Sequence, residues 1–206
     1  MDTMQTETAL SPMRTTDKYA VFGITESGKT TLVKRLIAGF PRFVIFDTVG
    51  DLKDLPGVVV FRDWKTVNWN APRLVFDAEI KQDEETLEKI AELVYFKAYN
   101  HVFVLDEAHN YASAGYCPPN LQRLITRGRH HGNGVVLASQ RPQALNMNAR
   151  AQVKHFFSFM LSEFDREYVT GNISRAFGEA VGGLEKYGFV YHSPPNFVQK
   201  YAPLRL

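Results

Sequence analysis

The residues with the clearest chemical pattern lie in the segment GITESGKTT, residues 23 to 31. The segment fits the spacing G-x-x-x-x-G-K-[ST], in which two glycines allow successive backbone N–H groups to face phosphate oxygens. Lys29 is expected to neutralise the β- and γ-phosphates of a nucleoside triphosphate, and the Thr30 hydroxyl to ligate Mg²⁺. The predicted nucleotide-binding residues are Gly23, Thr25, Glu26, Ser27, Gly28, Lys29, Thr30 and Thr31.

A pair of acids, Asp106 and Glu107, follows the apolar run HVFVL at residues 101 to 105. In open α/β sheets, ligands bind at the carboxyl ends of the strands, where this pair would lie. Asp106 would hold the Mg²⁺ through its water shell, opposite Thr30. Glu107 would polarise a water molecule in line with the γ-phosphate, which indicates hydrolysis. Acid pairs at strand ends can also be solvated loop residues, and this simpler interpretation stays open.

A third polar strand end is predicted at Gln140, in the segment VVLASQRP of residues 135 to 142. An amide at a neighbouring strand end could reach the γ-phosphate or the attacking water. We expect Gln140 to sense the γ-phosphate.

These residues are far apart in the sequence, so a folded sheet must bring them together. The hydrophobic pattern of the chain predicts such a sheet. Short runs rich in Val, Ile and Phe predict buried strands. The strand candidates are 19–23, 42–47, 58–61, 73–78, 101–107, 134–140, 155–161 and 187–192. The segments with helix-like spacing are 29–38, 83–99, 119–131, 163–170 and 173–183. This alternation predicts a three-layer α/β fold with a mostly parallel central sheet, in a single domain of residues 18–206 after a flexible tail of residues 1–17.

Composition excludes several classes of protein. The 206 residues have a net charge of +2, so charge alone does not indicate a nucleic-acid binder. The single cysteine, Cys117, excludes an internal disulfide, and no apolar run reaches the ~18–20 residues needed to span a bilayer. The polar N-terminus lacks the pattern of a signal peptide. The histidines do not have the spacing of a metal site.

Taken together, the segments GITESGKTT, VFVLDEAHN and RGRHHGNGVVLASQRP resemble the FtsK–HerA superfamily of DNA-pumping P-loop ATPases. Within it, the chain is most similar to the genome-packaging NTPases of archaeal turreted icosahedral viruses, over roughly residues 19–142. The resemblance implies a RecA-like domain that uses ATP and Mg²⁺ to package double-stranded DNA into a preformed capsid. The loop departs from the family pattern G-x-T-G-S-G-K-T, because Glu26 replaces the middle glycine.

The resemblance also implies a ring, expected to be a homohexamer, with nucleotide bound between neighbouring subunits. An arginine of the adjacent subunit would complete each site, and Arg127 and Arg129 are the candidates. The DNA contacts would be phosphate contacts in the pore. The implied partners are double-stranded DNA, further copies of this chain and the capsid or its internal-membrane vertex; the location would be the host cytoplasm or the virion. The candidate DNA-binding residues are Arg62, Lys65 and Arg73.

Alternative functions are weighed against this one. A cellular HerA-like DNA translocase or helicase would share the same motifs. The tetrad DEAH at residues 106–109 also occurs in helicases, but those use two RecA-like domains and a Ser-Ala-Thr motif, and this chain has Ser-Gln-Arg-Pro. A P-loop kinase would need neither Glu107 nor Gln140.

Overall fold

The structure, a computed structural model, describes residues 13–78 and 83–205. Nine strands form one sheet in the order β3-β4-β2-β5-β6-β1-β7-β8-β9. Strands β1 to β7 pair in parallel, and β8 and β9 are antiparallel to their neighbours. The strands are β1 (Lys18–Phe22), β2 (Phe43–Asp47), β3 (Val59–Phe61), β4 (Arg73–Asp77), β5 (Val102–Leu105), β6 (Gly134–Ser139), β7 (His155–Ser158), β8 (Phe189–Ser193) and β9 (Phe197–Tyr201).

Helices connect most of the strands, and several of them begin at a residue whose side chain caps the helix. The Asp83 side chain accepts a hydrogen bond from the backbone of Thr86 at the start of α2, and Ser162 does the same for Asp165 at the start of α5. The helices are α1 (Lys29–Ala38), α2 (Glu84–Lys97), α3 (Pro119–Arg127), α4 (Met147–Ala151), α5 (Glu163–Asn172) and α6 (Arg175–Val181).

The sheet is covered on both faces, because alternate side chains of each central strand enter different cores. In β1, Ala20 and Phe22 pack on the face that holds α2, α3 and α6, whereas Tyr19 and Val21 pack on the face of α1. Strands buried on both faces read as continuous apolar runs. The predicted three-layer, mostly parallel α/β fold is therefore confirmed.

The predicted elements agree with the structure except for one strand and one short helix. All eight predicted strands and five predicted helices are present, with ends shifted by a few residues. Strand β9 and the short helix α4 were not predicted. β9 is the edge strand, and none of its residues is buried, so it lacks the apolar run that marks the other strands.

The N-terminal segment contacts the sheet before β1 begins. The Arg14 carbonyl accepts a hydrogen bond from the Tyr19 hydroxyl, and the Asp17 carboxylate lies 3.0 Å from Lys154 Nζ and 3.3 Å from His155 Nε2. Residues 1–12 of the predicted tail lie outside the described residues, and the boundary at residue 17 stays a prediction. Among the described helices, none is both long and apolar enough to cross a membrane.

Candidate nucleotide-hydrolysis site

The three polar motifs meet at the carboxyl edge of the sheet because their strands are neighbours. Strand β6 lies between β1 and β5, with Phe22 in register with Ser139 and Leu105 with Leu137. The phosphate loop leaves β1, Asp106 follows β5, and Gln140 follows β6. Their side chains therefore converge from adjacent strand ends, as the sequence predicted.

The loop from Gly23 to Gly28 is shaped as a phosphate cradle at the start of α1. Gly28 has φ 107°, in the left-handed region that favours glycine. A Cβ on Gly23 would lie 2.8 Å from the Cβ of the buried Phe159, which cannot rotate away, so this position also requires glycine. The N-terminus of α1 adds its partial positive charge. The cradle is thus preformed by backbone geometry.

Two side chains of the loop could form hydrogen bonds to an anion. Within the described part of the chain, one donates only to backbone carbonyls of the loop itself, and the other has no hydrogen-bond partner. The buried Lys29 ammonium donates to the carbonyls of Gly23 at 2.8 Å and Ile24 at 3.0 Å. The buried Ser27 hydroxyl has no hydrogen-bond partner among the described residues. Such orphaned buried groups are rare in proteins unless a ligand satisfies them. The loop therefore fits a phosphate chain.

A chain of hydrogen bonds links the acid pair to the phosphate loop. Gln140 Nε2 donates to Glu107 Oε1 at 2.8 Å, and Thr25 Oγ1 donates to Gln140 Oε1 at 3.1 Å. Glu107 itself has φ 45° and ψ 45°. The structure thus places the predicted water-activating carboxylate and the predicted sensor amide in direct contact.

Asp106 is a buried carboxylate in an acidic environment. Burial and the adjacent Glu107 carboxylate raise its pKa to about 6, and its Oδ1 accepts a hydrogen bond from the Glu107 backbone at 2.9 Å. Burial lowers the pKa of Lys29, against the opposing charges of Glu107 and Asp106. The lysine and the two acids thus share one electrostatic site.

The donor set fits Mg²⁺ in the manner of P-loop enzymes. No cluster of three or more His, Cys, Asp or Glu suited to a metal exists among residues 13–78 and 83–205. Mg²⁺ does not need one, because it keeps several waters and binds through one or two protein oxygens plus substrate phosphates. The buried Asp106 carboxylate and the Thr30 hydroxyl would be those oxygens.

His109, which the sequence did not predict as a site residue, also belongs to this site. A 3₁₀ turn at Ala108–Asn110 directs the imidazole back, so that Nδ1 lies 3.4 Å from Glu107 Oε2 and 3.2 Å from Ser139 Oγ. Burial lowers the pKa of His109, opposed by Glu107. The imidazole therefore packs beside the carboxylate that is expected to activate water.

The two candidate trans-acting arginines lie away from the chain's own site. Arg127 ends α3 and Arg129 lies in the turn before β6, at the opposite edge of the sheet from Gln140. Both are exposed. Arg141 is also exposed and is next to Gln140, and its charge lowers the pKa of His109.

The three candidate DNA-binding residues do not form one patch. Arg62 follows β3, and both its Nε and Nη2 lie 2.9 Å from Asp77 Oδ2. Lys65 lies over the ring of Trp64. Arg73 begins β4 at the opposite edge of the sheet from Arg62 and donates to the Pro56 carbonyl at 3.1 Å. Their assignment as DNA contacts stays a prediction.

The family model of the zonular occludens toxin (Zot) matches residues 51–162, which include Asp106, Glu107 and Gln140. The chain belongs to the Zot family. The N-terminal domain of zonular occludens toxin from Neisseria meningitidis has a similar fold, with a TM-score of 0.54 and 14% identity over 93% of this chain and 96% of that one. No curated protein matches the sequence of this Zot-family chain.

Solved viral structures match the fold more strongly. The genome-packaging NTPase of Sulfolobus turreted icosahedral virus 2, in complex with AMPPCP, superposes with a TM-score of 0.78 and 20% identity, over 93% of this chain and 100% of that one. The DNA-packaging ATPase of Sulfolobus turreted icosahedral virus has a TM-score of 0.72 and 17% identity, over 94% and 100%. The predicted resemblance is confirmed, and the Zot-family chain has the fold of a P-loop NTPase.

Proposed function

We propose that this Zot-family protein is an ATP-hydrolysing motor that moves double-stranded DNA into a preformed viral capsid. The observation that carries the proposal is the hydrogen-bond chain from Glu107 through Gln140 to Thr25. It couples a carboxylate able to activate water to the loop that would hold the triphosphate. A simple nucleotide-binding module would not need this arrangement.

Nucleotide binding would replace internal bonds of the loop with bonds to phosphate. Lys29 now donates to two loop carbonyls, and we expect it to exchange at least one of them for β- and γ-phosphate oxygens. The Ser27 hydroxyl gains the acceptor it lacks. Thr30 and Asp106 would hold the Mg²⁺, which neutralises the charge of the phosphates when bound.

Hydrolysis would begin when Gln140 changes partner. In the structure, the Gln140 amide donates a hydrogen bond to Glu107 Oε1. If Gln140 turns to a γ-phosphate oxygen, Glu107 is released to accept a proton from a water in line with that phosphate. Phosphate occupancy thereby controls the position of the general base.

The DNA-moving role rests on the fold neighbours, which are named as a genome-packaging NTPase and a DNA-packaging ATPase. Exposed Arg127 and Arg129 suit a role toward a second subunit, since they lie far from their own Gln140. We therefore propose a ring of copies, expected to be a homohexamer, that binds DNA phosphates and docks to the capsid or its membrane vertex.

The test measures phosphate release from ATP with Mg²⁺, with and without double-stranded DNA. We expect turnover that rises with DNA and that falls about 10²–10⁴-fold in Glu107→Gln, because the general base is lost. The matched control is Glu167→Gln, an exposed glutamate of α5, which should keep full activity.

Other outcomes would contradict specific parts of the proposal. Full turnover in Glu107→Gln would remove the hydrolytic mechanism. Phosphate transfer that requires a small acceptor would indicate a kinase. A motor that moves along double-stranded DNA should also displace a third DNA strand annealed to the duplex. If double-stranded DNA does not change turnover and the third strand stays bound, the protein is an ATPase and the proposed DNA motor is overturned.

A further inference from the structure

Tyr187 lies beside the phosphate loop but belongs to none of the three sequence motifs of the site. Strand β8 is antiparallel to β7, so its first residues lie at the same edge of the sheet as the loop. A Cβ built on Gly28 would come within 3.5 Å of Tyr187 Cδ1. The Leu204 backbone N–H donates to the Tyr187 carbonyl at 3.0 Å and fixes this position from the C-terminal segment.

A hollow of 280 Å³ extends from the phosphate cradle to this ring. Five loop and helix residues line it together with the tyrosine: Glu26, Gly28, Lys29, Thr30 and Thr31. Tyr187 is the one aromatic group in this lining, within the part of the chain that the structure describes. The hollow thus joins a phosphate-binding end to an aromatic wall.

The sheet order decides which end of a nucleotide would reach Tyr187. Asp106, Glu107 and Gln140 lie on the β5–β6 side of β1, whereas Tyr187 lies on the β7–β8 side. A triphosphate whose γ-phosphate faces Glu107 must extend its nucleoside in the other direction. That direction leads along the start of α1 toward Tyr187.

The backbone of Tyr187 is held in a conformation that its side chain disfavours. Its φ of 66° lies in the left-handed region, which costs roughly 1–2 kcal/mol for a residue with a Cβ. Such outliers cluster at ligand sites. The exposed Lys186 ammonium lies 5.0 Å from the ring centroid. A lysine side chain is long and flexible, so Lys186 could move off the ring when a ligand stacks there and turn toward the phosphates.

We propose that Tyr187 is the platform on which the purine base of the bound nucleoside triphosphate stacks. This inference rests on the proposed function, because it requires the triphosphate to occupy the loop over Lys29. Stacking engages the face of the base and not its edge, so this contact does not by itself require adenine or guanine. The aromatic contact would contribute affinity that the phosphates alone do not supply.

The test compares two ligands of the full chain by calorimetry with Mg²⁺: β,γ-methylene-ATP and inorganic tripolyphosphate. Base stacking on an aromatic residue has a value that corresponds to about a 5- to 150-fold change in affinity. Tyr187→Gly should lose this factor for β,γ-methylene-ATP and bind tripolyphosphate within about twofold of wild type. Tyr187→Phe should keep wild-type affinity for both ligands.

The variants separate stacking from folding. Glycine accepts φ 66° without strain, so Tyr187→Gly is expected to fold, and its melting temperature checks this. Tyr99→Ala removes an exposed tyrosine that precedes β5 at the opposite edge of the sheet and should change neither affinity. An equal loss for both ligands in Tyr187→Gly, or no loss for either, overturns the inference. If wild type binds neither ligand, the proposed function fails as well.

Discussion

At the scale of single residues, two glutamates of the site have left-handed backbone conformations, which residues with a Cβ rarely adopt. Glu26, at the position where the superfamily pattern has glycine, has φ 58°, and Glu107 has φ 45°. Left-handed backbone explains why glycine suits the first of these positions, since a Cβ there costs roughly 1–2 kcal/mol. Glu26 is exposed, so its charge remains solvated. The departure from the pattern thus costs stability and leaves the loop intact.

Asp106 allows a direct test of how much the site lowers the free energy of unfolding. Its pKa of about 6 in the folded chain exceeds the ordinary value of 3.8 because burial and Glu107 disfavour the charged form. The folded state therefore binds more protons than the unfolded state between these pH values, and stability falls as the pH rises through this window. Above pH 6, the ionised Asp106 carboxylate lowers the free energy of unfolding by about 3 kcal/mol.

We therefore expect Asp106→Asn to raise the free energy of unfolding by about 1–3 kcal/mol at pH 8, in the absence of nucleotide. The gain should disappear at about pH 3, below both pKa values, where the wild-type carboxyl is protonated in the folded and the unfolded state. Urea unfolding at both pH values measures it, and Mg²⁺-dependent turnover should be lost in the same variant. An Asn variant less stable than wild type at pH 8 would contradict this account of the site.

At the scale of elements, the sequence predicted what hydrophobic periodicity and strand order determine. Residues 102–105 and 135–138 are continuous apolar runs, so they were recognisable as buried strands whose ends would bring Asp106 and Gln140 together. His109 and Tyr187 could not be found this way. Their positions depend on a 3₁₀ turn and on a left-handed residue, and neither leaves a periodic signal.

The packing of helices α5 and α6 can be tested at two glycines. Gly178 in α6 is closely packed against α5, whereas Gly171 in α5 has open space around it. A Cβ on Gly178 would lie 2.1 Å from Thr170 Oγ1 and 2.7 Å from its Cα, whereas Gly171 has nothing within 4 Å. We expect Gly178→Ala to destabilise the protein by about 1–3 kcal/mol through overpacking. Gly171→Ala should stabilise it by up to about 1 kcal/mol, because alanine is the better helix former. Equal effects in urea unfolding would show that the helices do not pack this closely.

At the scale of the whole molecule, the position of the arginines determines how a complete site could form. Strand β6 separates Arg129, before its first residue, from Gln140, after its last. Six strand residues span about 20 Å, so Arg129 cannot reach the γ-phosphate of its own subunit. In a head-to-tail ring, however, one surface of each subunit faces the opposite surface of the next. An arginine remote from its own site can then serve a neighbour's site.

Mixing two inactive variants tests this shared site. Arg129→Ala alone should lose about 10³–10⁵-fold in turnover, as expected for a trans-acting arginine, with Arg127→Ala and Arg141→Ala as comparisons. Glu107→Gln keeps Arg129, and Arg129→Ala keeps Glu107, so a mixed ring contains sites with both groups. In an equal random mixture, one half of the subunits carry the glutamate and one half of their neighbours the arginine, which restores about a quarter of wild-type turnover. A mixture with no more activity than its components, or wild-type turnover per chain that stays constant on dilution to monomer, would show that each subunit works alone.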